Sequence, residues 1–340
     1  MMDLSTTYLG LPLRNPLVAS AGPLQQGVDG IKALVDGGVS AVVLHSVFEE
    51  QIRRQAEADE LLEGLHADAF GEALSYFPNL PDGGADGDVP NAYLHLLEAG
   101  AKVAGVPVIG SINGSTRGGW TQYARQLQDA GAAAIELNIY FVVGDTTVPG
   151  HEVEQRHVDI LESVKQSVQV PVAVKLSPYF SSVGHMCRRL DAAGADGLVL
   201  FNRFLQPEID IHSLSVEPGV VLSSQPEGRL PRTWIAALRG RVKASLAASS
   251  GVATWHDVVR GLLAGADVVM TTSALVRHGP DHGLRLLEGL ERWLTERGHA
   301  SVDEVRGLLA VRHDDEDAYQ RAGYVAALEQ AKRTYGSLGR

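Results

Sequence analysis

The chain has 340 residues, 45% of them hydrophobic and 21% charged, enough to bury a large core as two ordinary domains or as one large α/β barrel. A formal net charge of -12 excludes sequence-independent nucleic-acid binding, which needs clustered Lys and Arg against phosphate. The single cysteine, Cys187 in GHMCRRLDAAG, excludes an internal disulfide and a cysteine-based metal site, and its helical context reads as a small buried hydrophobe. No metal centre is expected. The opening MMDLSTTYLG has neither the basic start nor the apolar core of a signal peptide, and no run reaches the roughly 18 apolar residues of a membrane span. A cytoplasmic, metabolite-handling protein with no membrane or nucleic-acid partner is expected.

In chain order, strands are predicted in NPLVASAG (15–22), DGGVSAVVLHS (36–46), AGVPVIGSIN (104–113), DAGAAAIELN (129–138), SVQVPVAVKLS (167–177), DAAGADGLVLFN (191–202), RVKASLAASSG (241–251) and LLAGADVVMTTS (262–273). Helices ending on Gly lead into several of them, and Pro opens two others. Each run is nearly all apolar, as in parallel strands covered on both faces. Amphipathic stretches such as GGWTQYARQLQDAG (118–131), EVEQRHVDILESVKQS (152–167) and TWHDVVRGLLAG (254–265) separate them. Eight such units predict a (β/α)8 TIM barrel. The alternative, a doubly wound open sheet, normally carries a Gly-rich fingerprint after its first strand, which ASAGPLQQGVDG does not match.

Long inserts follow the second strand (47–103) and the sixth (203–240). They read as lids or substrate walls, with PNLPDGGADGDVPN (78–91) as a mobile part. The barrel is expected over 1–300 and a helical extension packed on it over 301–340.

Chemistry in such a barrel sits where the strands end. There the sequence places Ser20 and Gly22, His45 and Ser46, Ser111 and Asn113, Asn138, Lys175 and Ser177, Asn202 and Arg203, Ser249 to Gly251, and Thr271 to Ser273. Lys175 in VPVAVKLSP is a lone cation at the end of an apolar strand, where burial is costly without a compensating anion or dipole. Two chemistries would use it: a Schiff-base nucleophile, or a fixed charge beside a cofactor that becomes anionic on reduction. The carboxamides of Asn113, Asn138 and Asn202 suit a planar heterocycle edged with carbonyls and ring nitrogens, which favours the cofactor. After the last two strands, AASSGV and MTTSAL supply small residues, hydroxyls and helix starts for a phosphate. A phosphorylated planar ring beside a lysine suggests flavin mononucleotide (FMN).

The motifs NPLVASAG, PVIGSINGST, AIELNIY, VPVAVKLSP, DGLVLFNRF, GRVKASLAASSGV and GADVVMTTSALVRHGP resemble, in this order, those of the dihydroorotate dehydrogenases, and especially the bacterial dihydroorotate dehydrogenase-like proteins. The resemblance covers about residues 12 to 300. It implies an FMN-dependent oxidoreductase acting on a CH–CH bond of dihydroorotate, or of a similar small cyclic amide or carboxylate, in pyrimidine biosynthesis. By position it implies Ser20, Ala21 and Gly22 along the isoalloxazine ring, with Ser46 a further flavin contact. Asn113 and Asn138 would contact flavin or substrate, Lys175 the pyrimidine edge, and Asn202 a substrate amide. Ser250, Gly251, Thr272 and Ser273 would hold the phosphate.

The chain departs from the family pattern in three places. Ser250–Gly251 replaces paired glycines. His45 stands where family members carry a lysine after strand two. Phe141 occupies the position of the Cys or Ser that removes the substrate proton, and Val142 and Val143 replace the Pro-Asn that follows. A phenyl ring accepts no proton. Tyr140 falls on the opposite side by strand alternation and carries a phenol of ordinary pKa near 10. Lys175 and His45 are therefore the catalytic candidates, ahead of the loop histidines His151 and His212. Two alternatives remain open: an FMN-binding barrel without dihydroorotate activity, and a non-redox phosphate-binding barrel using Lys175 for imine chemistry. Without a cysteine cluster or nicotinamide fingerprint, reoxidation by NAD would require a separate electron-transfer subunit. A homodimer is expected by analogy.

Overall fold

The computed structural model describes residues 2–54, 89–114, 120–140, 145–203, 208–217, 221–312 and 316–336. The chain opens with a hairpin, β1 (Thr6–Tyr8) antiparallel to β2 (Leu11–Leu13). The predicted runs then form strands β3 (Leu17–Ala19), β4 (Ala41–Val43), β6 (Val108–Gly114), β7 (Ala134–Ile139), β8 (Val172–Leu176) and β9 (Gly197–Leu200), with the two-residue β5 (Val47–Phe48) beside β6. The insert after β9 carries a second hairpin, β10 (Glu208–Asp210) with β11 (Ser215–Glu217), before β12 (Ser245–Ala248) and β13 (Val268–Thr271). The parallel order β4-β3-β13-β12-β9-β8-β7-β6 is closed by pairing of β6 with β4. Closure makes this a (β/α)8 barrel and rules out the open sheet.

Around it lie α1 (Val28–Asp36), α2 (Val89–Ala104), α3 (Trp120–Asp129), α4 (Gly150–Lys165), α5 (Val183–Ala192), α6 (Arg229–Leu238), α7 (Trp255–Ala264), α8 (Ser273–His278) and α9 (His282–Arg297). Most of the predicted mobile segment 78–91 lies outside the described residues. Residues 301–312 run along the barrel wall: Val302 and Val305 are buried, and the amides of Gly307 and Val311 donate to the carbonyls of Leu262 and Ala236. Beyond them the exposed helix α10 (Glu316–Tyr335) is tied to Thr233 by the Tyr319 hydroxyl. Among the described residues no helix is long and apolar enough to cross a membrane.

Strand alternation sends one set of side chains outward to the helices and another inward. The inward set mixes Ala41, Ala134, Ala173 and Ala247 with larger Val43, Ile109, Val199 and Met270, which together surround the space at the barrel axis. Tyr8, Leu9 and Leu13 of the first hairpin fill that space from the amino-terminal end. Gly197 makes room for the hairpin, since a Cβ there would lie 2.4 Å from Leu9 Cδ2 and displace that side chain. The Leu9 amide donates to Ser245 Oγ at 3.1 Å, and Thr6 Oγ1 to the Asp267 carbonyl at 2.9 Å, so the stopper is bonded as well as packed.

Between barrel and helices, Cys187 is fully buried and its thiol is pushed up to about 12 by desolvation, consistent with an inert core residue. His157 of α4 packs edge-on to Phe180, its Nδ1 2.8 Å from the Val153 carbonyl, and burial holds its pKa below the ordinary 6.5. The unfolded chain therefore binds a proton near pH 6.5 that the folded chain takes only at lower pH, and stability falls as pH drops through that window. Urea denaturation from pH 7.5 to 5 is expected to show this loss, and His157→Phe to lessen it.

Candidate active site

The carboxyl end of the barrel is polar where the amino-terminal end is apolar. The strand register aligns Asn113 of β6 with Asn138 of β7, and Asn138 with Lys175 of β8, in one row across three strands. Lys175 is buried, with Nζ 3.2 Å from Ser20 Oγ and 3.3 Å from Glu136 Oε1. This corrects the reading of a lone cation: Glu136, two residues before Asn138 on the same face of β7, is its partner, itself only 1% exposed. The Ser20 carbonyl accepts from Thr272 Oγ1 at 2.7 Å and Gln25 Nε2 at 2.8 Å, which ties the end of β3 to the end of β13. Asn202 Nδ2 donates to Asn138 Oδ1 at 3.0 Å, joining the strand-six amide to the row.

At the other end of the site, Ser250 and Gly251 both adopt positive φ, 76° and 69°. Gly251 has no alternative: a Cβ there would lie 2.2 Å from the Gly228 nitrogen. Ser250 Oγ donates to the Phe201 carbonyl, and Ser273 Oγ accepts from the Ser223 amide at 3.0 Å. Among the described residues the amides of Ser250 and Gly251 have no acceptor. Asp257 braces this loop from α7. Burial opposes its ionisation, but hydrogen bonds from Gln225, Thr254 and Ala253 together hold its carboxyl below the usual range. With Thr254 it forms the capping box that starts α7 beside the loop.

Between these ends lies an open cleft. Of the residues singled out in the sequence, Ser20, Ala21, Lys175, Asn202, Arg203, Ser249 to Gly251 and Thr271 to Ser273 line it. Gly22 abuts Thr272, where a Cβ would come within 2.3 Å of the threonine methyl. Asn113 and Asn138 stand on neighbouring strands and Ser46 in the link between β4 and β5; Ser46 pairs with Ser111 at 2.8 Å and Asn138 reaches the cleft through Asn202. Ser223 joins the walls from the long insert, and Arg203 donates to Glu227 at 3.0 Å.

His45 is placed differently. Its ring packs edge-on to Tyr93 at 5.0 Å and lies outside the cleft lining, with Nδ1 buried and unpartnered among the described residues. Burial lowers its pKa, so it is neutral at pH 7. His151 and His212 are exposed. Phe141, Val142 and Val143 lie outside the described residues.

A buried cation at one end of a cleft, and bent backbone with hydroxyls and unengaged amides at the other, fit a planar ring carrying a phosphate. FMN has that form.

A family model described as dihydroorotate dehydrogenase matches residues 80–294. A protein of Aeropyrum pernix, whose name ascribes to it dihydroorotate dehydrogenase A (fumarate), is 31% identical over 222 residues, covering 62% of this chain and 70% of its own. The chain is also similar to two proteins named dihydroorotate dehydrogenase B (NAD(+)), catalytic subunit. That of Thermoplasma acidophilum is 26% identical, covering 91% of this chain and 99% of its own. That of Pyrococcus abyssi is 28% identical, covering 90% and 98%.

Proposed function

The chain belongs to the dihydroorotate dehydrogenase family and is an FMN-dependent oxidoreductase, and from that premise we propose that it oxidises the C5–C6 bond of dihydroorotate or of a similar small cyclic amide bearing a carboxylate. The observation that carries the reading is the row Asn113, Asn138, Lys175, which sets two amides beside a buried cation.

FMN, when bound, accepts the two electrons and hydrogen that leave the substrate. The chain does the rest. Ser250, Gly251, Thr272 and Ser273 hold the phosphate, and Ser20 and Ala21 flank the ring. Lys175 supplies positive charge where the reduced ring becomes negative. Asn138 and Asn202, already bonded to each other, fix a substrate amide by their remaining donors and acceptors. The ion pair with Glu136 disfavours imine chemistry, which needs a neutral amine at Lys175.

Purified protein is expected to bind FMN one to one, and Gly251→Ala to weaken that binding at least tenfold while the fold survives. Fluorescence titration with FMN measures both; a wild-type protein that ignores FMN refutes the reading. A second reading, supported by Phe141, keeps FMN and assigns a different substrate. Anaerobic mixing with dihydroorotate separates the two, because fast bleaching of the flavin leaves the first alone.

We further propose a separate electron-transfer subunit, supported by the relatives' names as catalytic subunits, and a homodimer. The hairpin β10–β11 supports a partner surface, since Ile209, Ile211, Leu214 and Val216 are 66–86% exposed on it. Sedimentation of the purified chain tests the dimer. A cytoplasmic location, and a division into a barrel over 1–300 with an appended 301–340, complete the proposal.

A further inference from the structure

Glu136 has no assigned role, and its surroundings give it one. It is 1% exposed in the barrel interior, with Oε1 on the Lys175 ammonium and Oε2 unpartnered among the described residues. An ionised carboxylate in such a place is costly unless a charge answers it, and Lys175 is the cation bonded to it. Lys175 in turn lines the cleft, while Glu136 does not. The cleft therefore faces a cation backed by an anion, not a bare positive charge.

We propose that Glu136 is a positioning residue for the flavin site: it fixes the Lys175 ammonium and offsets its charge, and so lowers the reduction potential of the bound FMN. The inference rests on the FMN reading and extends it from binding to tuning. A ring that gains negative charge on reduction is held more tightly by an unopposed cation than by one paired with a carboxylate. Ser20 cannot take over this role, because its hydroxyl shares the ammonium without carrying charge.

The test is a charge cycle on the FMN-loaded protein, read as the reduction potential of the bound flavin by equilibration with a reference dye. Glu136→Gln is expected to raise the potential by at least a tenfold change in the ratio of oxidised to reduced flavin, about 30 mV for two electrons. Lys175→Met should lower it. The double variant Glu136→Gln/Lys175→Met should return close to wild type, and Glu136→Asp, which keeps the charge, should stay there. Where a variant holds FMN weakly, the ratio of dissociation constants for oxidised and reduced FMN gives the same shift.

A protein without FMN would refute the cofactor reading. FMN bound at a potential that Glu136→Gln leaves unmoved, or that Glu136→Gln and Glu136→Asp shift alike, would overturn this inference alone.

Discussion

Phe141→Cys is expected to speed reduction of the bound flavin by dihydroorotate by roughly 10²–10⁴-fold, the usual contribution of a positioned general base. The argument is from sequence, since residue 141 lies outside the described residues. Three residues earlier, Asn138 keeps its register with Lys175 and its bond to Asn202, so the amide pair proposed to hold the substrate is in place. His45 does not compensate: neutral and well suited by type, it is half-buried against Tyr93 instead of lining the cleft. Anaerobic stopped-flow mixing of both proteins with dihydroorotate decides the matter. A variant no faster than wild type would mean that more than the base has changed, and would favour a different substrate.

The second large effect is on stability. Lys175→Met leaves Glu136 buried without its cation, and removing one partner of a buried pair costs about 3–5 kcal/mol. Adding Glu136→Gln should recover most of that loss, because a neutral amide no longer demands an ion. Urea midpoints of wild type, single and double variants measure it. A Lys175→Met protein as stable as wild type would mean that Glu136 tolerates isolation by taking up a proton.

The sequence made the barrel legible because each parallel strand is a short apolar run set off by Gly or Pro, and those runs survive as β3, β4, β6 to β9, β12 and β13. The loop ends were legible too, since Ser250, Gly251, Thr272 and Ser273 follow their strands directly. Glu136 was passed over because it sits inside an apolar run, AIELN, as one polar letter. Period-two counting from Asn138 would have put it on the inner face, beside the strand that carries Lys175. The hairpin β1–β2 gave no such signal: three-residue strands are too short for periodicity, and its turn uses Leu9 and Gly10 at positive φ, 55° and 74°. Ser223 reaches the cleft only because the long insert folds back, a fact of tertiary structure.

That hairpin has a bearing on kinetics. With Tyr8, Leu9 and Leu13 corking the amino-terminal end, the barrel is a blind cup, not a tunnel. A small molecule that gives up electrons and one that carries them away must then use the same doorway in turn. Steady-state rates with a diffusible acceptor should therefore follow ping-pong kinetics, with each reactant inhibiting competitively when it crowds the other's turn. An acceptor on a docked protein would escape that queue.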